Sequence, residues 1–384
     1  MGGDKFFGAY RAFSGIKDAV VLNHAPIGCN WGAGMFRTIS NQADVRQACT
    51  VMHEREIIFG GEESLRRALE RADKLYNAPL LLVIAGNVPS IIGDDVGGII
   101  DGLSLKKDVV WMEAAGFSGS MRSGYEEALL RLAPLMNECD TTDGSVNLIG
   151  FCPDDFKVEA DVKEIKRLMK GAGIEVNCVV SNCSFKEFER APAAELNVVL
   201  GQGRDFAKLM KKDFGIPYIE LDYPYGIEGT EKFVESVSEF LGMGWNSRVE
   251  EMIDPFKKVY LYLHEICGTP VSIIGDFRAG SMAEFLSGEL GFEVEVLSSF
   301  ERDQHSFERD VRDSNTMIIF GSSFERDLAE ELRVPLVRFN YPVFDQVSIY
   351  DDAPYAGFRG AVFLTESILN AVMGFGAMSP GGCR

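Results

Sequence analysis

Short apolar runs alternate with amphipathic stretches along this chain. The first run, residues 19–23 (AVVLN), closes in His-Ala-Pro-Ile-Gly-Cys. Leu65, Leu69 and Ala72 recur at helical spacing and predict a helix over residues 62–76. Residues 79–85 (PLLLVIA) are continuously apolar, which predicts a strand covered on both faces and ending at Gly86. The pattern restarts with predicted strands at 146–150, 175–180, 197–200 and 218–221, and helices at 161–170, 204–214 and 229–241. Residues 245–266 read as one long connecting helix. A third set has strands at 271–275, 293–297, 316–320 and 336–339, with helices near 281–290 and 361–373.

Strand–helix alternation of this kind implies parallel sheets with helices on both faces and right-handed crossovers. The expected fold class is therefore α/β, with three doubly wound domains at 1–145, 146–255 and 256–384. In such sheets ligands bind at the loops after the strand C-termini. The Cys29 loop, Gly93-Asp94-Asp95 and Asp276-Phe277 all fall at such ends.

Composition narrows the function. The 384 residues are 46% hydrophobic and carry a net charge of −20, which argues against nucleic acid and anionic membranes as partners. No apolar run is long enough for a membrane span, and no signal-peptide pattern opens the chain, so a cytoplasmic protein is expected. In that reducing setting the eight cysteines stay thiols or bind metal. No C-x-x-C pair, P-loop, complete G-x-G-x-x-G, G-x-S-x-G or H-E-x-x-H occurs, so the chain is not itself a P-loop ATPase.

Two cysteines stand out. Cys29 follows a strand, and Pro26 and Gly28 shape the turn, Gly28 letting the backbone approach a bulky ligand. Cys49 precedes Met52-His53-Glu54 and the Gly60-Gly61 pair. A buried structural thiol or an exposed free one is the simpler reading of each alone; two beside glycine turns favour a shared metal. His24 and His53 flank them as ligands, proton donors or hydrogen-bonded structural groups, the last being the simplest reading. Gly93-Asp94-Asp95 reads as a cation site or, more simply, a helix N-cap. Cys267 reads as structural, and Cys139, Cys152, Cys178, Cys183 and Cys383 as structural or exposed.

These motifs resemble component 1 of nitrogenase and its relatives over nearly the whole chain. The turn at 21–29 resembles the family's first cluster-cysteine motif, and Cys49 with Met52, Glu54 and Phe59-Gly60-Gly61 resembles the second motif of β-type subunits. Residues 85–95 resemble the third motif, with Asn87 where the family has a cysteine. The run from Val334 to Phe358 also resembles β-type subunits.

The resemblance implies a β-type subunit of a nitrogenase-like reductase. Cys29 and Cys49 would be cluster ligands, with Gly28, Asn87 and Gly93 beside the cofactor. The cofactor would be an interfacial iron–sulfur cluster, [8Fe-7S]-like (a P-cluster) or [4Fe-4S]. The partners would be an α-type subunit in a heterotetramer, or a second copy of the chain, and an ATP-hydrolysing iron protein that delivers electrons. The positions near 199–201 and 347 lack the cysteine and histidine that anchor the catalytic cofactor of α-type subunits. The resemblance leaves two alternatives open, a homodimeric tetrapyrrole reductase and a non-catalytic cofactor-assembly scaffold.

Overall fold

The structure is a computed structural model that describes residues 3–39, 46–246, 249–263, 266–299 and 304–378. Cys383 lies outside the described residues.

Among the described residues, twelve strands form three four-stranded sheets. The first holds β1 (Val20–His24), β2 (Gln47–Cys49), β3 (Leu80–Ala85) and β4 (Asp108–Glu113) in the order β2-β1-β3-β4, all parallel. Its helices are α1 (Lys5–Ser14), α2 (Ile27–Ile39), α3 (Glu54–Phe59), α4 (Glu62–Leu75), α5 (Asn87–Ile92), α6 (Val96–Asp101) and α7 (Met121–Leu132). The second holds β5 (Thr142–Ile149), β6 (Glu175–Val179), β7 (Ala194–Leu200) and β8 (Tyr218–Leu221) in the order β6-β5-β7-β8. Its helices are α8 (Val158–Gly171), α9 (Phe185–Glu189), α10 (Arg204–Phe214) and α11 (Gly226–Phe240). After α12 (Val249–Leu263) come β9 (Pro270–Gly275), β10 (Glu293–Ser299), β11 (Ile318–Gly321) and β12 (Leu336–Arg338), ordered β10-β9-β11-β12 and parallel. Here the helices are α13 (Arg278–Glu284), α14 (Gln304–Arg312), α15 (Arg326–Leu332) and α16 (Gly357–Met378). The α/β class and the parallel sheets are as the alternation predicts.

The elements differ from the pattern reading in places. The predicted helix at 281–290 starts at Arg278 and runs from Phe285 to Glu289 as a π turn. The long connecting helix is described only over Val249–Leu263. Strand β4 escaped the apolar pattern because it is a sheet edge, with Asp108 and Glu113 exposed at its ends. Helix α1 also escaped it, although eight of its ten residues are buried. It lies against α7, and a Cβ at Gly8 would stand 1.8 Å from the Met121 carbonyl oxygen, so only glycine admits this approach.

The chain forms two compact units. One comprises Gly3–Asp154 with Asn177–Ile219, and the other includes Asp155–Val176 with Glu220–Arg384. In the first, β1 and β3 are buried at every residue, and buried Arg11 pairs with Asp154 at 2.7 Å. In the second, buried Arg278 donates to Asp155 at 2.7 Å, to Asp276 at 2.6 Å and to Asn340 at 3.2 Å. Among the described residues, no helix is long and apolar enough to cross a membrane.

The second unit also contains a buried acid at the start of α8. Asp161 accepts from the Tyr223 hydroxyl at 2.6 Å, from the Tyr355 N–H at 2.6 Å and from the Ala356 N–H at 2.9 Å. It thus joins α8, the segment after β8 and the lead into α16. Burial outweighs these bonds and lifts its pKa from 3.8 to about 6. Between these values the folded chain holds a proton that the unfolded chain has lost, so stability falls as pH rises. Relative to Asp161→Asn, the unmodified protein should lose on the order of 3 kcal/mol between about pH 4 and 6 and level off above. Urea unfolding of both proteins across this range tests it. A difference that stays constant with pH would show that Asp161 ionises normally.

Candidate metal centre

The first unit brings the two singled-out cysteines together. Strand β1 ends at His24, and only Ala25 and Pro26 separate it from α2. Proline suits a helix start because its φ is already helical and its missing N–H is not needed there. Cys29 is therefore the third residue of α2, in its first turn. This corrects the sequence reading, which put Gly28 and Cys29 on a tight turn. Gly28 is not in the left-handed region, and a Cβ there would meet nothing within 4 Å.

Cys49 is the last residue of β2, in register with Asn23 of β1. Its Sγ donates to the Ala25 carbonyl at 3.4 Å and accepts from the Val51 N–H at 3.3 Å. Both cysteines are half-buried. Burial raises the pKa of each thiol, and the negative charge of Asp4 raises that of Cys29 further. Cys29 also contributes to the rise at Cys49, as neighbouring sulfurs do when both acquire negative charge.

One side chain fixes this pair. The Gln47 amide donates to the Asn30 carbonyl at 2.9 Å and to its side-chain oxygen at 2.6 Å. Its own oxygen accepts from the buried Tyr10 hydroxyl at 2.8 Å, and Asn23 donates to the same Asn30 oxygen at 3.0 Å. Gln47 shares a strand face with Cys49, two residues away, and Asn30 follows Cys29 directly. The clamp thus ties the helix carrying one thiol to the strand carrying the other. Sequence reasoning missed Gln47, Asn30 and Tyr10; the adjacency of Asn30 and the two-residue spacing of Gln47 were the available signals.

The neighbouring polar residues serve the scaffold. His24 is fully buried, with Nδ1 3.0 Å from Thr50 Oγ1 and Nε2 3.0 Å from Asp94 Oδ2. Burial lowers its pKa against the opposite pull of Asp94, so both ring nitrogens are engaged in a structural role. Asp94 also accepts from the Gly61 N–H at 3.0 Å, next to the start of α4, where the helix dipole favours a carboxylate. A Cβ on Gly61 would stand 2.6 Å from Asp94 and 2.8 Å from His24, so glycine is required there. Asp95, not Asp94, is the N-cap of α6, accepting from Gly98 N–H at 2.8 Å. Gly93 ends α5 in the left-handed conformation, φ 78°. Asn87 opens α5, and its side-chain oxygen accepts from the Gly116 N–H. His53 is exposed at the start of α3.

The same elements expose large apolar side chains. Ile27 and Trp31 on α2, Ile57, Ile58 and Phe59 on α3, and Ile91 on α5 are all exposed, with Trp31 at 65% and Phe59 at 82%. So many on neighbouring elements mark a contact surface rather than scattered exposure. Among the described residues, no three His, Cys, Asp or Glu side chains converge in a way that could hold a metal ion. Elsewhere, Cys152, Cys178 and Cys183 are buried, and Cys139 is half-buried. Cys267, expected to be structural, is exposed in the turn after α12 and has no core role.

Comparison with known proteins identifies the fold and the family. The sequence profile of the nitrogenase component 1 type oxidoreductases matches residues 5–373. The chain belongs to the nitrogenase component 1 type oxidoreductase family.

Its relatives include the nitrogenase iron-molybdenum cofactor biosynthesis protein NifE of Clostridium pasteurianum, 26% identical over 88% of this chain and 81% of that protein. The nitrogenase molybdenum-iron protein alpha chain of Methanothermobacter marburgensis is 27% identical over 96% of this chain and 87% of that protein. A light-independent protochlorophyllide reductase subunit of a Bradyrhizobium species is 25% identical over 97% and 79%. The solved structure of nitrogenase Cp1 at pH 6.5 superposes with a TM-score of 0.83 at 20% identity, over 97% of this chain and 92% of the other. A nitrogenase beta chain matches at 24%, so the comparisons do not single out the β-type among these branches.

The clamp gives a direct test. Gln47→Ala removes three hydrogen bonds and leaves the Tyr10 hydroxyl and Asn30 oxygen short of partners. It should cost roughly 1–3 kcal/mol in urea unfolding. In the unmodified protein Cys29 and Cys49 should alkylate slowly at neutral pH and speed up at higher pH than an ordinary exposed thiol does. Peptide-mapped iodoacetamide labelling against pH measures this, and rapid labelling at pH 7 would contradict it.

Proposed function

We propose that this chain is the cluster-bearing subunit of a nitrogenase-like reductase, and that Cys29 and Cys49 supply one half of the ligands of an iron–sulfur cluster shared across a subunit interface. The observation that carries this reading is the pairing of two half-buried thiols beside an exposed apolar face, with no third ligand group among the described residues. A [4Fe-4S] cluster takes four thiolates, so two thiols per chain fit half of such a site. They do not fit a bridging cluster that takes three cysteines from each side, since Asn87 stands at the third position and its oxygen is engaged by Gly116. The count favours two copies of the chain around one cluster, as in a homodimeric tetrapyrrole reductase. The relative named as part of a protochlorophyllide reductase supports the tetrapyrrole class. The second reading is a β-type subunit with an α-type partner, supported by the relatives named as alpha and beta chains.

When bound, the cluster would pass single electrons, received from a separate ATP-hydrolysing iron protein, toward the substrate site. The chain's own residues set the conditions for holding it. Cys29 and Cys49 must lose their protons to ligate iron, and burial resists that loss, so assembly is favoured by rising pH. The Val51 N–H aimed at Cys49 Sγ stabilises negative charge on that sulfur, a contact that raises a cluster's reduction potential. The Gln47–Asn30 clamp would hold the helix of Cys29 against the strand of Cys49 as the two thiols take up the cluster. Trp31, Ile58 and Phe59 give the partner subunit an apolar surface that would exclude water around the sulfurs.

Iron and acid-labile sulfide per chain on anaerobically purified protein, with native mass and the Cys29→Ala and Cys49→Ala variants, test the proposal. About two irons per chain at a dimer mass, lost in both variants, supports the shared four-iron cluster. About four or more, seen only with a co-purified second chain, supports the α-type partner. An assembled metal cofactor that is passed on to another protein would support a scaffold instead. No iron, with both variants folded and unchanged, would sink the cluster reading.

A further inference from the structure

We propose that the second unit contains a binding site for a small organic cation, a protonated amine carried on an apolar body. The site is a cavity of about 510 Å³ between the end of β8, the start of α11, and α13 with its π turn. That volume lies within the range of small-molecule sites. π-helical turns are rare and recur at functional positions.

The cavity's chemistry selects the ligand. Tyr223, Tyr225, Phe233 and Phe285 line it, all buried; aromatic faces attract cations, and the Tyr223 ring already has the Arg278 guanidinium 5.7 Å from its centroid, which leaves Tyr225, Phe233 and Phe285 for a ligand. Glu220, Asp222, Glu228, Glu284 and Glu289 add five carboxylates. The single cation on the wall, Lys232, lies 3.8 Å from Asp222 and leaves a strong negative excess. Such a field draws in cations and disfavours anions.

Most of these groups are already committed, and the exceptions point to a ligand. Glu289 accepts from the Ile227 and Glu228 N–H groups at 2.9 Å each at the start of α11, although burial and the neighbouring Glu228 and Glu231 raise its pKa against these bonds. The Tyr223 hydroxyl is spent on Asp161. Tyr225 is only 3% exposed, yet its hydroxyl makes no hydrogen bond to any described residue. That hydroxyl is accessible from the cavity that Tyr225 lines, where its oxygen can accept from an ammonium N–H. Glu284 is exposed and makes no ion pair among the described residues, so its carboxylate is free to pair with the same cation.

Isothermal titration of the full chain with benzylamine tests this, with benzyl alcohol and benzoate as neutral and anionic controls of the same shape. Saturable one-to-one binding is expected for benzylamine, about tenfold or more weaker for both controls, and weakened by added salt. Glu284→Gln and Tyr225→Phe should each reduce affinity roughly 3- to 10-fold. Circular dichroism confirms that the variants fold; should Tyr225→Phe fail to fold, exposed Glu284→Gln decides alone. No saturation by about 10 mM, equal affinity for benzyl alcohol, or undiminished binding in the folded variants would overturn the proposal.

Discussion

The parallel pairing of β1 between β2 and β3 is the constraint on which the candidate centre depends. β1 is buried at every residue, so its backbone groups must be satisfied by neighbouring strands, and its register is set on both sides. Register places Cys49 opposite Asn23, and the end of β1 delivers the chain to the start of α2, where Cys29 sits. A slip of one residue in β2 would turn Cys49 and Gln47 to the opposite face and remove both the second sulfur and the clamp. The pairing of the two thiols is thus a property of the sheet, refined by Gln47 and Asn30.

The surroundings of the thiols divide between holding the scaffold and facing outward. His24, Asp94, Thr50 and Gly61 form a closed polar knot with no group left over for a metal. Their burial stiffens the strand ends behind the cysteines. The outward side has the opposite character, with Ile27, Trp31, Ile58 and Phe59 left exposed on α2 and α3. A hydrogen-bonded rear and an exposed apolar front thus lie on opposite sides of the two thiols.

The second unit follows a different principle, in which buried charge organises loops. Arg278 is held by Asp155, Asp276 and Asn340, while Asp161 gathers Tyr223, Tyr355 and Ala356. Networks of this kind specify one arrangement of the segments that carry them, because an unpaired member would cost more than the bond contributes. The aromatic and acidic walls of the 510 Å³ cavity are carried by segments anchored in this way.

By itself, the sequence determined the α/β class and the buried strands and singled out Cys29 and Cys49 as candidates, because these depend on local composition. Residues 79–85 read as a strand covered on both faces, and a thiol a few residues past a strand end is visible without any contact map. Helix α1 and edge strand β4 carried no such local signature. What tertiary structure alone decided is how distant positions meet: Tyr10, Asn30 and Gln47 as one clamp, His24 with Asp94 as a scaffold, and Asp161 with Tyr223 and Tyr355. None of these pairs is encoded by spacing. Each arises because parallel crossovers return the chain to the same sheet edge after tens of residues, and burial then leaves each polar group only the partner that the fold places beside it.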